Sequence, residues 1–281
     1  QLARFDRPIG WWLLFWPCAW GVLLAGGQSQ WVLLAWLLLG SVAMRGAGCV
    51  YNDIVDADLD RQVARTALRP VASGRVSKRA AWVWLLALCG IGLIVLLQLR
   101  WQAQAVALGS LALVAAYPFM KRWTKFPQAW LGLVFSWGAL VGWVAITGGA
   151  DAAMWWLYAG TIFWVIGYDT IYAHQDKEDD LMVGLKSTAL RFGAATPRWL
   201  TAFYAGAIAL WGYAGLLAGA GFGFYLGLAV AATQLAWQVA TLETSDAGNC
   251  LARFKSNQLV GWALFLGIVA DMALPALLGA F

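Results

Sequence analysis

The chain has one histidine, His174, and four cysteines with no CxxC spacing among them: Cys18, Cys49, Cys89 and Cys250. A zinc or haem centre built on several imidazoles is thereby excluded. The scattered thiols read as small apolar residues inside helices. Charge is scarce as well. Asp, Glu, Lys and Arg make up 12% of the 281 residues, against 62% hydrophobic, where a soluble domain holds roughly half. The net charge is +5, but the bases stand in the links between apolar blocks. Topology explains them better than a nucleic-acid partner, and no nucleic acid is expected.

What is abundant is uninterrupted apolar sequence. Runs such as "WVLLAWLLLGSVAM" and "FYLGLAVAATQLAWQVATL" have no polar face to turn to water. They predict an all-α, polytopic membrane protein, one domain over residues 1–281. Nine spans are expected, near 9–26, 31–51, 80–98, 103–119, 128–147, 153–174, 198–218, 222–242 and 258–279. With the N-terminus inside, the inner segments are 1–8, 52–79, 120–127, 175–197 and 243–257. These segments carry nearly every Lys and Arg, while the outer links "GGQSQ", "GGAD" and "AGAGFG" are short and nearly uncharged. This bias follows the positive-inside rule and predicts a functional face on the cytoplasmic side, in a bacterial inner membrane.

Two acidic clusters stand at that face. In "YNDIVDADLD", residues 51–60, a helix advancing about 100° per residue puts Asn52, Asp56 and Asp60 on one stripe, flanked by Asp53. Arg45 lies on the same face about 10 Å deeper, while Asp58 turns away. In "YDTIYAHQDKEDD", residues 168–180, Asp169, Asp176 and Asp180 fall within roughly 40° of one another on a helix. Tyr172 borders that face, Asp179 flanks it, and His174 is expected to be a bystander. Facing acidic stripes would repel, and a hard divalent cation with oxygen ligands resolves the repulsion.

Each cluster is followed by bases: Arg65, Arg69 and Arg75 after the first, Lys177, Lys186 and Arg191 after the second. "YPFMKRWTK" adds Lys121, Arg122 and Lys125. Carboxylates, Mg²⁺, Arg and Lys together suit a bound diphosphate. A transporter is the competing class, but transporter charges gather near the midplane, whereas these gather at the inner boundary. Most of the 20 Trp and 13 Phe read as lipid-facing or interfacial. Tyr117, Tyr168 and Tyr172 stand beside the motifs. Gly46 and Gly48 leave room near Arg45 or serve close helix packing. Asp271, an acid within the last span, is a functional suspect by default.

"NDIVDADLDRQVARTALRP" resembles the first signature of the UbiA superfamily of intramembrane prenyltransferases, and "YDTIYAHQDKEDD" resembles the second. "RFDRPIGWWLLFWP" and "FKSN" are similar to the branch that prenylates 4-hydroxybenzoate. The resemblance implies nine helices around a central cavity with cytoplasmic cap loops, two Mg²⁺ ions and a polyprenyl diphosphate donor drawn from the membrane lipid. It places Asn52, Asp53, Asp56, Asp60, Asp169, Asp176 and Asp180 at Mg²⁺–diphosphate positions. Arg65, Arg69, Lys121 and Arg122 match basic positions near the phosphates, and Arg45 a position that holds the carboxylate of an aromatic acid. Tyr117, Tyr172 and Lys177 join the expected substrate contacts, and Asp56, Asp176 and Arg45 the expected catalytic set. The implied reaction prenylates the carbon ortho to the hydroxyl of 4-hydroxybenzoate, in ubiquinone biosynthesis. Homogentisate and dihydroxynaphthoate are alternative acceptors. Asp176, Asp56 and the departing diphosphate are the candidates for taking the ring proton.

Overall fold

The structure, a computed structural model, describes residues 1–62, 66–182 and 184–278. Among the described residues there is no strand, and the chain folds as helices: α1 (Ile9–Leu24), α2 (Trp31–Val55), α3 (Ala57–Asp60), α4 (Lys78–Leu96), α5 (Trp101–Trp123), α6 (Pro127–Thr147) and α7 (Ala152–Ala173). A single 3₁₀ turn, His174–Asp176, leads into α8 (Lys177–Met182), α9 (Thr188–Phe192), α10 (Thr196–Leu217), α11 (Phe222–Ala240), α12 (Ala247–Lys255) and α13 (Asn257–Leu278). Six stretches, Trp31–Val55, Lys78–Leu96, Trp101–Trp123, Pro127–Thr147, Thr188–Leu217 and Phe222–Ala240, are long and apolar enough to cross a membrane. The chain is an integral membrane protein.

Local chemistry sets the ends of these helices. Ser77, Asp151, Ser187 and Asp246 accept backbone N–H groups at the starts of α4, α7, α9 and α12, replacing partners the first turn lacks. Pro127 opens α6, where a missing N–H costs nothing. Gly148 closes α6 in the left-handed region at φ 75°.

In lipid the helices associate by close packing, which favours small residues at the contacts. A Cβ on Gly142 of α6 would strike the Cys18 backbone carbonyl of α1. A Cβ on Gly223 of α11 would lie 2.5 Å from the Asp271 backbone nitrogen of α13. Half of the apolar stretch of α6 is buried, against 17% for those of α4 and α5. So α6 is central, and α4 and α5 show Trp82, Val83, Trp84, Leu86 and Leu108 to lipid.

Not every aromatic is lipid-facing. Trp20, Trp164 and Trp211 pack with ring centroids 5.3–5.7 Å apart, all fully buried. Trp164 Nε1 donates to Asn257 Oδ1 at 2.8 Å. The "FKSN" stretch therefore contributes a structural tie between α7 and the start of α13. The four cysteines are free thiols, and burial raises the Cys250 thiol above its ordinary value. Asp271 is also structural: its carboxylate accepts the Gly221 and Gly223 N–H groups that open α11.

Candidate active site

α2 runs to Val55, pauses at Asp56 (φ −93°, ψ 4°), and resumes as α3. The stripe expected on one continuous helix is thus carried by two, with Asp56 at the joint. The Asp56 N–H still reaches the Asn52 carbonyl, and the Asp60 N–H the Asp56 carbonyl, so the carboxylates stay on one side. Asp53, Asp56 and Asp60 are 1%, 1% and 6% exposed.

Buried carboxylates need partners, and these come from three other parts of the chain. Arg4 Nη2 donates to Asp53 Oδ1 at 2.8 Å. Arg69 Nη1 reaches both oxygens of Asp60 at 2.9 and 2.8 Å and lies 3.5 Å from Asp53. Lys121 Nζ and Arg122 Nη2, at the end of α5, reach the two oxygens of Asp56 at 2.9 and 3.0 Å. Asp58 points outward, 76% exposed, paired with Arg61 and Lys78.

The second stripe is also broken. α7 ends at Ala173, and the 3₁₀ turn holding Asp176 separates Asp169 from Asp180 on α8. Asp169 nonetheless stands where the charges of Arg45, Asp176 and Lys121 act on it. Lys121, bonded to Asp56 of one cluster, is thus also within electrostatic reach of Asp169 of the other. The Tyr117 ring stands within electrostatic reach of Asp169, Arg45, Asp56 and Tyr172. Tyr168 sits near Asp169, Arg45 and Tyr117, with Phe254 edge-on to its ring at 5.7 Å. Tyr172 packs on Phe254 at 4.6 Å.

Arg45 enters from α2 beneath the acids. Its Nη1 donates to Cys49 Sγ at 2.7 Å and its guanidinium lies 5.5 Å from the Phe135 ring centre. Its Nε is buried without an acceptor. Among the described residues no carboxylate lies within ion-pair distance of it. Gly10 makes room for this side chain, since a Cβ there would lie 2.7 Å from Nε. Gly48 faces open space, whereas Gly46 packs against Phe5, Ala3 and Leu88.

Other expected residues lie elsewhere. Arg65 falls outside the described residues. Lys177 lies where its charge acts on His174, and His174 Nε2 pairs with Thr196 Oγ1 at 3.0 Å, a structural bond. Arg75 bonds the Leu68 carbonyl and Gln1, folding the cap loop onto the N-terminus. Lys186 bonds the Trp123 carbonyl at 3.3 Å. Sequence reasoning missed Arg4, Cys49 and Phe135. Arg4 stands in the "RFDRPIGWWLLFWP" stretch with nothing in its spacing to tie it to Asp53; Cys49 could have been found four residues after Arg45, one helical turn on.

The donor set fits a hard cation. The Asn52 Oδ1 and Asp53 Oδ2 atoms are buried and receive no hydrogen bond among the described residues. Oxygen acceptors in that condition are what Mg²⁺ takes. No three His, Cys, Asp or Glu side chains among the described residues already converge as a metal cage.

The sequence pattern of the UbiA prenyltransferase family matches residues 14–270. The chain is 46% identical over 278 residues to the mitochondrial 4-hydroxybenzoate polyprenyltransferase of Caenorhabditis elegans, covering 98% of this chain and 78% of the relative. It is 48% identical over 280 residues to the enzyme of the same name from Drosophila melanogaster, covering 98% and 71%. Both relatives are mitochondrial, so the expected bacterial location finds no support in them. Among solved structures, a UbiA homologue from Aeropyrum pernix K1 superposes with a TM-score of 0.78 at 29% identity, over 93% of this chain and 98% of that one. A UbiA homologue from Archaeoglobus fulgidus, solved with GPP and Mg²⁺, shares the fold at TM-score 0.62 and 18% identity, over 92% and 97%.

Proposed function

Because the chain belongs to the UbiA prenyltransferase family, we propose that it transfers a polyprenyl group from polyprenyl diphosphate to 4-hydroxybenzoate. The new bond forms at the ring carbon ortho to the hydroxyl, diphosphate leaves, and the product enters ubiquinone biosynthesis. The observation that carries this reading is the buried cluster Asp53, Asp56 and Asp60 paired with Lys121, Arg122 and Arg69, with the half-buried Asp169 within electrostatic reach of Lys121 and Arg45 deeper and lacking a carboxylate among the described residues. The site is thus divided into a diphosphate end and an acid-binding end.

Asn52, Asp53, Asp56 and Asp60 from α2 and α3, with Asp169, Asp176 and Asp180 from the α7–α8 segment, would hold two Mg²⁺ ions. When bound, Mg²⁺ neutralises charge developing on the leaving diphosphate. Lys121, Arg122 and Arg69 supply donors to the same oxygens, exchanging their present carboxylate partners for phosphate. Tyr117 and Tyr172 form the wall beside the allylic carbon as its C–O bond lengthens. Arg45 grips the acceptor's carboxylate and turns the ring toward that carbon, while Cys49 and Phe135 fix the guanidinium. Bond formation at the ring carbon is followed by transfer of its proton to Asp176, Asp56 or the departing diphosphate.

We read the nine long helices as nine spans of one domain over residues 1–281, with a central cavity opening on the face where Lys and Arg gather, in an inner membrane. A lipid tail gains about 0.8 kcal/mol per buried CH₂ and stays in the bilayer, so the enzyme meets its donor there. The test is product formation by the purified full chain with Mg²⁺, a polyprenyl diphosphate and 4-hydroxybenzoate, read by mass spectrometry. Homogentisate and dihydroxynaphthoate run in parallel as competing acceptors. Absence of prenylated 4-hydroxybenzoate, with either competitor turned over, would overturn the acceptor assignment; absence of all products would overturn the reaction.

A further inference from the structure

Away from the acidic clusters, a groove of about 730 Å³ runs between α11 and the start of α13. Val230, Gln234 and Trp237 line it from α11, and Ser256, Leu259 and Ala263 from the other side. The wall is mostly apolar, and Val230, Trp237 and Leu259 are 53%, 42% and 57% exposed, so the groove faces the bilayer.

Two polar features set it apart from an ordinary lipid-facing surface. Gln234 Nε2 is buried and has no hydrogen-bond acceptor among the described residues. At the inner end, the Arg253 guanidinium lies 4.1 Å from the centre of the Trp237 ring. Arg253 Nε and Nη2 donate to Thr241 at 2.8 and 3.3 Å, which uses two of the five N–H groups a guanidinium carries. Lys255 shares the basic last turn of α12. Glu243 and Asp246 belong to the opposite end of that helix, Asp246 capping its start.

We infer that this groove binds an anionic phospholipid. The order of groups along α11 matches the order of groups in such a molecule. Trp237, with Arg253 on its face, is nearest the basic side, where a phosphate lies. Gln234 is three residues back, roughly 4.5 Å deeper, at the level of a glycerol ester; it lines the groove, and turning its side chain into the groove would bring the now buried, unpartnered Nε2–H to the ester carbonyl. Val230 lies about one further turn in, against the first methylenes of the acyl chain. Trp at the headgroup level and bases beside it are the usual contacts of a lipid interface. The occupant differs from the proposed donor. The metal-binding carboxylates stand on α2, α3 and the α7–α8 segment, and none lines this groove.

The full chain is reconstituted in nanodiscs of equal phosphatidylcholine and phosphatidylglycerol, released, and weighed by native mass spectrometry. Wild type is expected to retain phosphatidylglycerol preferentially. Arg253→Gln and Lys255→Gln should each cut the preference about fivefold, the effect of one base near an anionic surface. Gln234→Leu should lower retention of both lipids while leaving the headgroup preference intact. Arg253→Lys keeps the charge but loses the fork on Thr241, so it should keep the preference. Inorganic phosphate at millimolar concentration should fail to raise the thermal midpoint, where phosphatidylglycerol raises it. Equal retention of the two lipids by wild type, or an unchanged preference in the Arg253→Gln/Lys255→Gln double variant, overturns the inference. So does a loss in Arg253→Lys equal to that in Arg253→Gln, which would make Arg253 a structural residue. Binding is read in place of activity because the proposed donor is itself an anionic lipid.

Discussion

Replacing Arg45 by Gln tests the acceptor half of the site alone. The guanidinium is half-buried, touches Cys49 and Phe135, and has a buried Nε without an acceptor. If it receives the carboxylate of 4-hydroxybenzoate, the substitution removes charge-assisted hydrogen bonds worth about 1.5–3 kcal/mol. That is about tenfold to a hundredfold in kcat/KM for the acceptor. The loss should appear with saturating polyprenyl diphosphate, while the KM for the donor stays at the wild-type value. 4-Hydroxybenzamide, which lacks the charge, should be a poor substrate for wild type and equally poor for the variant. Folding should be nearly indifferent, because Gln relieves a desolvated cation and forfeits the weak bond to Cys49 Sγ and the roughly 0.5–1 kcal/mol of the Phe135 contact. Equal losses with the acid and the amide would refute the reasoning, and so would a raised donor KM. Either result would place Arg45 at the diphosphate end.

Asp56→Asn should lower kcat by more than about a hundredfold and raise the Mg²⁺ concentration needed for half-maximal rate, read by titrating Mg²⁺ at fixed substrate. Gly142→Ala should destabilise by about 1–3 kcal/mol, because the new methyl meets the Cys18 backbone carbonyl of α1, which cannot rotate away; thermal unfolding in detergent measures it. Asp271→Ala should cost about 0.5–2 kcal/mol through loss of the α11 cap, with the rate per folded molecule unchanged in the same prenyl-transfer assay.

The helices and the basic face were legible because a bilayer imposes them: apolar length and Lys/Arg placement are direct physical requirements. Asn52, Asp53, Asp56 and Asp60 were legible by spacing, and the structure keeps the three carboxylates together. The pause at Asp56 and the 3₁₀ turn at His174–Asp176 were not, since neither is marked by Gly or Pro. Arg4 was illegible for a different reason. Its contact with Asp53 crosses 49 residues of sequence, and at φ 52° it has a backbone conformation that spacing does not encode. Gly46 and Gly48 stood equal in sequence. Only packing separates them, one filled by Phe5, Ala3 and Leu88 and one open. Asp271 illustrates the opposite error: an acid in an apolar run invites a functional reading, yet two backbone N–H groups account for it.

The pairing of the first cluster bears on how any activity loss should be interpreted. Arg4 comes from the N-terminal segment, Arg69 from the cap loop, and Lys121 and Arg122 from the end of α5. Their three partners, Asp53, Asp56 and Asp60, are nearly buried. The ion pairs that offset the cost of burying these carboxylates are therefore also what hold four segments together at the mouth of the site. Removing one acid leaves its bases uncompensated, and breaking a buried pair is strongly destabilising, by about 3–5 kcal/mol. The bases here are partly exposed, from 18% for Arg69 to 38% for Arg122, so solvent screening reduces that figure. A fall in rate in Asp56→Asn thus has two sources, a loosened mouth and a lost metal ligand. Lys121→Met separates them. It loosens the same pair from the other side, and should lower stability and raise the donor KM. Removing a like charge should leave the Mg²⁺ requirement unchanged or reduced. If Lys121→Met instead raises the Mg²⁺ requirement as Asp56→Asn does, the carboxylate acts through the architecture of the mouth and not as a ligand.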